Sequence, residues 1–173
     1  MIINTNVEDY SIELFDLAKL FGIEKKQDEI DHIEAEEGDL IHNKFTLKRD
    51  GREKEFTFDY CLEKSLSPLR KKSYKKRMVK NQMYKIVSKE YDIVLPWGSL
   101  TGVRPTKFAR DLVSYGEAKE HIIPEILSRD YYISNQKARL VGQILKNQKG
   151  KRKFPSYKGF FSFYSTLKTK FFC

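Results

Sequence analysis

Two segments in which apolar residues alternate with polar ones lie on either side of Asp50-Gly51, and they constrain the fold of the N-terminal part of the chain. The apolar positions are Ile41, Phe45 and Leu47 before this dipeptide and Phe56, Phe58 and Tyr60 after it. A period of two places each set on one face of a strand, and Asp-Gly supplies the positive φ angles that a tight two-residue turn requires. The pattern predicts an antiparallel hairpin with one buried face.

The residues before this hairpin predict a strand and a helix. Residues 1–5 are a short apolar start typical of a strand, and residues 27–35 are a weaker strand candidate. Helical spacing between them is carried by Tyr10, Leu14, Leu17 and Phe21. Asn6 is the expected N-cap and Gly22 the expected end of this helix. The sequence therefore predicts a small acidic strand-helix-hairpin unit over residues 1–64.

The charge of the chain changes abruptly near Glu63. Residues 1–63 hold 17 acidic and 8 basic side chains, a net charge of −9, whereas the remaining residues hold 7 and 25, a net charge of +18. The whole chain has a net charge of +9. Such a change indicates two units that bind different partners or that attract each other electrostatically.

A long basic helix is predicted to begin at Ser67 and Pro68, because serine caps helices and proline is accepted in the first turn. Its apolar stripe consists of Val79, Met83, Ile86 and Val87. The cations around its first half are Lys64, Arg70, Lys71, Lys72, Lys75, Lys76, Arg77 and Lys80. A solvated helical face and a surface that binds a polyanion are the two interpretations of this cluster.

Three further helical segments follow. Pro105 opens a helix that ends at Gly116, Pro124 marks a short helix, and Ser134 caps a last one. Residues 65–150 are therefore predicted to form a basic helical bundle. Residues 151–173 hold eight aromatic residues among six Lys or Arg residues without a sustained period, and they are predicted to be an irregular, poorly ordered tail. The predicted fold class is α+β.

Residues 95–107 (LPWGSLTGVRPTK) hold the only tryptophan of the chain, two of its five prolines and two of its nine glycines. Glycine permits positive φ and proline fixes φ, so this run is predicted to be a shaped connector between helices. Its expected structural anchors are Trp97, Gly98, Gly102 and Pro105. Trp97 is expected to be buried, because it offers a large apolar area with one hydrogen-bond donor.

The order of residues in this run resembles the segment that precedes the catalytic domain of bacterial oxygen-independent coproporphyrinogen III oxidase-like proteins. These are radical S-adenosylmethionine (SAM) oxidoreductases of anaerobic haem biosynthesis, of the coproporphyrinogen dehydrogenase type. The resemblance covers about residues 1–150 and is firmest over residues 74–148. It implies oxidative decarboxylation of two propionates to vinyl groups, with a 4Fe–4S cluster and S-adenosylmethionine as the cofactors of the full-length enzyme.

The catalytic element of that family does not occur in this sequence. The family continues with a strand and a CxxxCxxC loop whose three thiolates bind the cluster, whereas the cysteines here are Cys61 and Cys173. No catalytic, cofactor-binding or metal-binding residue of the family is therefore assigned, and we expect neither turnover nor iron–sulfur absorbance from this chain alone. Residues 159–164 begin like the family's strand and then depart from it, which favours a truncated or frame-shifted product without its catalytic domain.

A weaker binding site is suggested by Arg104 and Lys107, which stand at a helix start beside Gly98 and Gly102. The glycines are four residues apart and Val103 follows, so the nucleotide-binding loop, with its glycines five apart and lysine next, is excluded. Backbone amides and two cations nevertheless suit an anionic group such as a propionate, a carboxylate or an RNA phosphate. The alternative is a structural salt bridge, for example from Arg104 to Asp111.

The sequence shows no pattern of residues typical of a metal-binding site. The three histidines, His32, His42 and His121, show no ligand spacing. The acidic run of Glu34, Glu36, Glu37 and Asp39 lacks the alternating spacing of a calcium loop, so a solvated loop is expected there.

Three functions remain. The first is an N-terminal accessory region of a radical SAM coproporphyrinogen III oxidase-like protein, whose partners are the catalytic domain and coproporphyrinogen III, a tetra-anion that the positive charge suits. The second is an RNA- or DNA-binding module on residues 70–80, and the third is a structural interaction domain. The sequence has no run near the roughly 18 apolar residues that cross a bilayer and no signal pattern, so a cytoplasmic protein without a membrane partner is expected.

Overall fold

The computed structural model of this protein describes residues 1–24, 26–100 and 103–148. These residues have an α+β fold, as the sequence predicts. The chain divides into two compact units, Met1–Val94 (unit 1) and Leu95–Cys173 (unit 2). The predicted irregular tail over residues 151–173 and the predicted anchor Gly102 lie outside the described residues.

Unit 1 is built from a four-stranded sheet and two helices. Its strands are β1 (Ile2–Thr5), β2 (Glu29–Glu37), β3 (Leu40–Arg49) and β4 (Arg52–Cys61). A 3₁₀ turn (Glu8–Tyr10) leads into α1 (Ser11–Leu20), and α2 spans Pro68–Tyr91. The strand order is β1-β2-β3-β4; β1 is parallel to β2, and the other neighbours are antiparallel.

The predicted hairpin is confirmed. Arg49 pairs with Arg52 across the turn, and Asp50 and Gly51 have φ angles of 51° and 71°, as a type I′ turn requires. The predicted apolar residues of β3 are buried, and Phe56 pairs with Phe45 in the β3–β4 register. The sheet therefore has one covered face and one solvent face.

Two expectations for unit 1 are wrong in detail. Asn6 does not cap a helix; its side chain donates to the carbonyl of Glu34 and accepts from the Glu34 N–H, both at 2.8 Å. This pairing satisfies Glu34 backbone groups that lie beyond the end of the short β1 strand. The acidic run is not a loop either, because it forms the end of β2 and the turn into β3, and Glu34 is buried.

The helix α2 belongs to unit 1, so the boundary expected between residues 64 and 65 lies inside that unit. Its predicted apolar stripe, Val79, Met83, Ile86 and Val87, is buried. Gln82 accepts a hydrogen bond from Asn43 of β3, and Tyr91 donates one to Asp28. The change of charge near Glu63 thus falls inside unit 1, between its acidic strands and the basic helix α2.

Unit 2 contains α3 (Pro105–Ser114), a 3₁₀ turn (Glu120–Ile122), α4 (Ile123–Tyr131) and α5 (Asn135–Gln148). Pro105 and Pro124 lie in the first turns of α3 and α4, and the Ser134 carbonyl accepts the first bond of α5, as predicted. The core consists of Leu100, Phe108, Ala109, Leu112, Ala118, Ile123, Ile126, Leu127, Ile133, Ala138, Val141 and Leu145.

None of the helices within the described ranges combines the length and the apolar character that a bilayer-crossing helix needs.

Candidate functional site

Residues 95–100 of the connector form a turn that is hydrogen-bonded to the end of α4. Gly98 N–H donates to the Leu95 carbonyl at 2.9 Å, which closes the turn. Ser99 N–H donates to the Tyr131 carbonyl at 2.9 Å, and Ser134 N–H donates to the Pro96 carbonyl at 3.1 Å. Two segments of unit 2 that are about 35 residues apart in sequence are thereby held together by backbone bonds.

Gly98 occupies a position where a side chain does not fit. Its φ angle is 54°, which disfavours residues with a Cβ atom. A Cβ at this position would stand 2.0 Å from the Tyr131 carbonyl oxygen and 2.5 Å from the Tyr132 carbonyl carbon. The glycine therefore allows the connector backbone to lie directly against the end of α4.

Trp97 is half-buried, not fully buried, and packs against the core of unit 2. The Lys137 ammonium lies 5.3 Å from the centre of its ring, in the range of a cation–π contact. The indole thus covers the edge of the core and remains partly in contact with solvent.

Arg104 and Lys107 lie at the start of α3. Arg104 is exposed and extended, with φ −77° and ψ 106°, as expected of a residue before proline, and its carbonyl accepts from Phe108 N–H. Lys107 is exposed as well. The alternative of a salt bridge between Arg104 and Asp111 is not realised among the described residues. Both cations stand at the N-terminal end of α3.

The basic cluster of α2 faces carboxylates of the acidic N-terminal half. The ion pairs are Lys71–Asp39 at 3.9 Å, Lys72–Asp9 at 2.5 Å, Lys75–Glu34 at 2.6 Å and Lys76–Glu13 at 2.6 Å. Lys75 also contacts Glu36, and Lys54 of β4 pairs with Glu90 at 2.5 Å. These contacts show that the acidic strands and the basic helix attract each other within unit 1, because opposite charges lie side by side in one packed unit.

The pair Lys75–Glu34 is the buried member of this set. The Glu34 side chain is 2% exposed and that of Lys75 is 15% exposed. Tyr10 donates its hydroxyl to Glu34 Oε2 at 3.0 Å. Burial and the negative charge of Glu34 raise the pKa of Tyr10. Burial lowers the pKa of Lys75, but hydrogen bonds to Glu34 and Glu36 outweigh it, so this pKa is raised.

A chain of polar side chains crosses the covered face of the sheet from β1 to α2. The Thr5 hydroxyl lies 3.0 Å from His32 Nδ1, and His32 Nε2 lies 2.9 Å from Asn43 Oδ1. Asn43 Nδ2 donates to Gln82 Oε1 at 2.9 Å. Because the Asn43 amide nitrogen is engaged with Gln82, its oxygen is left to accept from His32 Nε2–H. In the neutral tautomer that this bond selects, Nδ1 carries no proton and accepts from the Thr5 hydroxyl.

Burial keeps His32 in this neutral state. The residue is 1% exposed, and its ring lies 4.6 Å from that of Phe45 and 5.8 Å from that of Tyr10. Desolvation lowers the pKa of His32, while the hydrogen bond to Asn43 and the charge of Glu34 oppose the change. An open concavity of about 470 Å³ on the sheet has Thr5 and His32 among its lining residues, together with Asp31, Lys44 and Lys48 of the solvent face. His32 is 1% exposed, so its side chain lies behind this surface rather than in it.

Strand parity is the sequence signal for this polar chain. His32 and Glu34 share parity with buried Ile30, and Asn43 shares parity with buried Ile41 and Phe45. A polar residue at an apolar position of an alternating strand must find a partner inside the core. Parity therefore points to these residues, although it does not identify their partners.

The residues present do not fit an iron–sulfur cluster. Such a cluster needs three neighbouring thiolates, whereas Cys61 lies exposed at the end of β4 and the other cysteine, Cys173, lies outside the described residues. Within residues 1–24, 26–100 and 103–148, no three His, Cys, Asp or Glu side chains converge as metal ligands.

No family model, no curated protein and no solved structure matches this chain. The protein is therefore described by its fold alone, which is an α+β unit with a mixed sheet followed by a helical unit.

Proposed function

We propose that this chain is the accessory region that precedes the catalytic domain of a radical SAM coproporphyrinogen III oxidase-like protein, and that its role is to bind that domain. The observation that carries the proposal is the order of residues 95–107, which resembles the corresponding segment of that family. The cluster and S-adenosylmethionine belong to the catalytic domain in this proposal, and this chain contributes no catalytic group.

Local geometry in the connector supports the proposal. Gly98 is tightly enclosed by the backbone of Tyr131 and Tyr132, and Pro96 bonds to Ser134. A segment with these constraints has a definite shape, and few residue types are compatible with it. Gly98, one residue of the segment that carries the resemblance, is thus required by the fold of unit 2.

The polyanion-binding alternative is less compatible with the ion pairs of α2. Lys72, Lys75 and Lys76 each bind a carboxylate of unit 1 at 2.5 to 2.6 Å. A phosphate backbone would have to displace these carboxylates, so part of the favourable electrostatic energy would be lost. The structural role therefore accounts for the basic helix with fewer assumptions.

The proposal is tested by supplying the radical SAM domain of such an enzyme as a separate chain with a reconstituted cluster. We expect saturable one-to-one binding in calorimetry and an increase in the turnover of coproporphyrinogen III when this chain is added. The catalytic domain of an unrelated radical SAM enzyme serves as the control and should not bind. Absence of binding to the coproporphyrinogen-type domain would contradict the proposal.

The same preparation separates the remaining alternatives. Titration with single-stranded RNA at about 50 and 200 mM salt distinguishes a nucleic-acid-binding module, whose affinity falls steeply with salt, from a domain that binds no nucleic acid. Titration with coproporphyrinogen III, repeated with Arg104→Gln and Lys107→Gln, shows whether this chain contacts the substrate itself.

A further inference from the structure

The strand β4 is an open edge of the sheet in unit 1. Arg49 and Arg52 flank a two-residue turn, so they form a hydrogen-bonded pair and every second residue of β4 bonds to β3. The backbone N–H and C=O groups of the intervening residues therefore point away from β3. These residues are Glu53, Glu55, Thr57 and Asp59. Within the described residues no strand lies beside β4 on that side.

The side chains on the solvent face of β4 make this edge negatively charged. Those on the solvent face include three carboxylates, Glu53, Glu55 and Asp59, and all three are exposed. Lys44 pairs with Glu55 at 2.5 Å and His42 with Asp59 at 2.8 Å. The solvent face of the whole sheet carries six carboxylates, which include Glu29, Asp31 and Glu37, against the two lysines Lys44 and Lys48.

The opposite face of β4 is aromatic. Phe56, Phe58 and Tyr60 are half-buried there, so part of each side chain stays in contact with solvent at the edge. Phe58 contacts buried Phe45 edge to face, with ring centres 6.1 Å apart. An added strand would extend the apolar face past these rings and remove their remaining exposed surface from water.

A second copy of this chain does not suit the edge. Antiparallel pairing of two β4 strands about Phe56 would place Glu53 opposite Asp59, and pairing about Thr57 would place Glu55 opposite Asp59. Like charges directly opposite each other destabilise a strand pair. The other edge is less accessible, because β1 has four residues and Asn6 already binds the Glu34 backbone beyond its end.

We propose that β4 binds an extended segment of another protein in which basic and apolar residues alternate. Its backbone would bond to the outward groups of Glu53, Glu55, Thr57 and Asp59, with its basic side chains beside the carboxylates and its apolar side chains beside the aromatic residues. The inference rests on the sheet of unit 1 alone. It holds whether or not the chain is the accessory region proposed above.

The probe is a capped eight-residue peptide in which lysine and valine alternate, and the control peptide replaces lysine by glutamate. Hydrogen–deuterium exchange is followed by NMR on the full chain with each peptide. We expect the amides of Glu53, Glu55, Thr57 and Asp59 to gain protection with the lysine peptide, while Lys54, Phe56 and Phe58, which already bond to β3, change little. Protection spread evenly over β4, or equal binding of both peptides, would overturn the proposal.

A substitution at Thr57 isolates the backbone contribution. Thr57→Pro removes an outward N–H that no β3 carbonyl uses, and proline is accepted at such edge positions. Thr57→Val keeps the N–H and the branched side chain. We expect the proline variant to bind the lysine peptide at least about tenfold more weakly and the valine variant to bind like the wild type. Equal binding by a folded proline variant would contradict strand addition.

The charge contribution is measured with Glu53→Gln, which leaves the Lys44–Glu55 pair intact. We expect severalfold weaker binding of the lysine peptide and a shallower dependence on salt. If the Thr57→Pro variant does not fold, the alternating exchange pattern of the wild type decides the question. Dimer formation that protects the same amides without peptide would also overturn the proposal, because a second copy would then be the occupant.

Discussion

At the scale of single residues, His32 shows how a polar group is kept in a core. Both of its ring nitrogens have partners, Thr5 at 3.0 Å and Asn43 at 2.9 Å. The arrangement satisfies a neutral imidazole, with Nε2–H donating to Asn43 and Nδ1 accepting from Thr5. Burial disfavours protonation and outweighs the hydrogen bond to Asn43 and the negative charge of Glu34, so the pKa of His32 is lowered.

This arrangement predicts a pH dependence of stability. The pKa of His32 is lowered in the folded state, so its stabilising contribution is complete above the unfolded pKa of about 6.5 and is lost as the pH falls below that value. The free energy of unfolding should fall by up to about 1.4 kcal/mol per pH unit there. Urea unfolding between about pH 7.5 and 5.5, above the ordinary carboxylate range, measures this slope.

Two variants assign the slope to its residue. His32→Gln retains a donor and an acceptor but has no proton to gain, so its stability should be nearly constant over the same pH range. His42→Gln changes a half-exposed residue on the solvent face and should keep the wild-type slope. A slope that persists in His32→Gln would show that another group is responsible.

At the scale of elements, α2 is held to the rest of unit 1 by an apolar stripe and by the Lys75–Glu34 pair. The stripe was predictable, since Val79, Met83 and Ile86 recur with helical spacing. The pairing was not, because Lys75 and Glu34 lie 41 residues apart and nothing local in the sequence distinguishes Lys75 from its basic neighbours. A cluster of cations is typical of a solvated face until the opposing carboxylates are placed.

We expect Lys75→Met to destabilise unit 1 by about 3 kcal/mol, because it leaves the Glu34 carboxylate buried without its cation. The matched control is Lys72→Met, whose partner Asp9 is exposed, and it should unfold close to the wild-type denaturant concentration. Chemical denaturation followed by circular dichroism measures both.

A double variant tests the reason for that loss. Lys75→Met combined with Glu34→Gln removes the buried charge together with its partner and should recover most of the lost stability. If the double variant is no more stable than Lys75→Met, the loss arises from packing of the lysine stem and not from the uncompensated carboxylate.

At the scale of the whole molecule, the division between Val94 and Leu95 assigns α2 to the N-terminal unit. A fragment of residues 1–94 should therefore fold cooperatively, whereas a fragment of residues 1–64 lacks α2, whose Gln82 binds Asn43 on the covered face of β3, and should not. Circular dichroism and thermal unfolding of the two fragments measure this. A cooperative transition for residues 1–64 would support the boundary expected from the charge pattern instead.

Neighbouring residues in the chain are enough to predict the hairpin at Asp50-Gly51, the helix starts near Pro105, Pro124 and Ser134, and the parity of the buried residues. These features depend on φ preferences and on neighbours a few residues away, so local order is enough to predict them. The tertiary structure alone decided that α2 packs in unit 1, that Lys75 meets Glu34, and that His32 joins Thr5 to Asn43. Those outcomes depend on contacts between segments far apart in the chain. Burial and charge decide which side chains pair there, and the spacing of residues along the sequence does not.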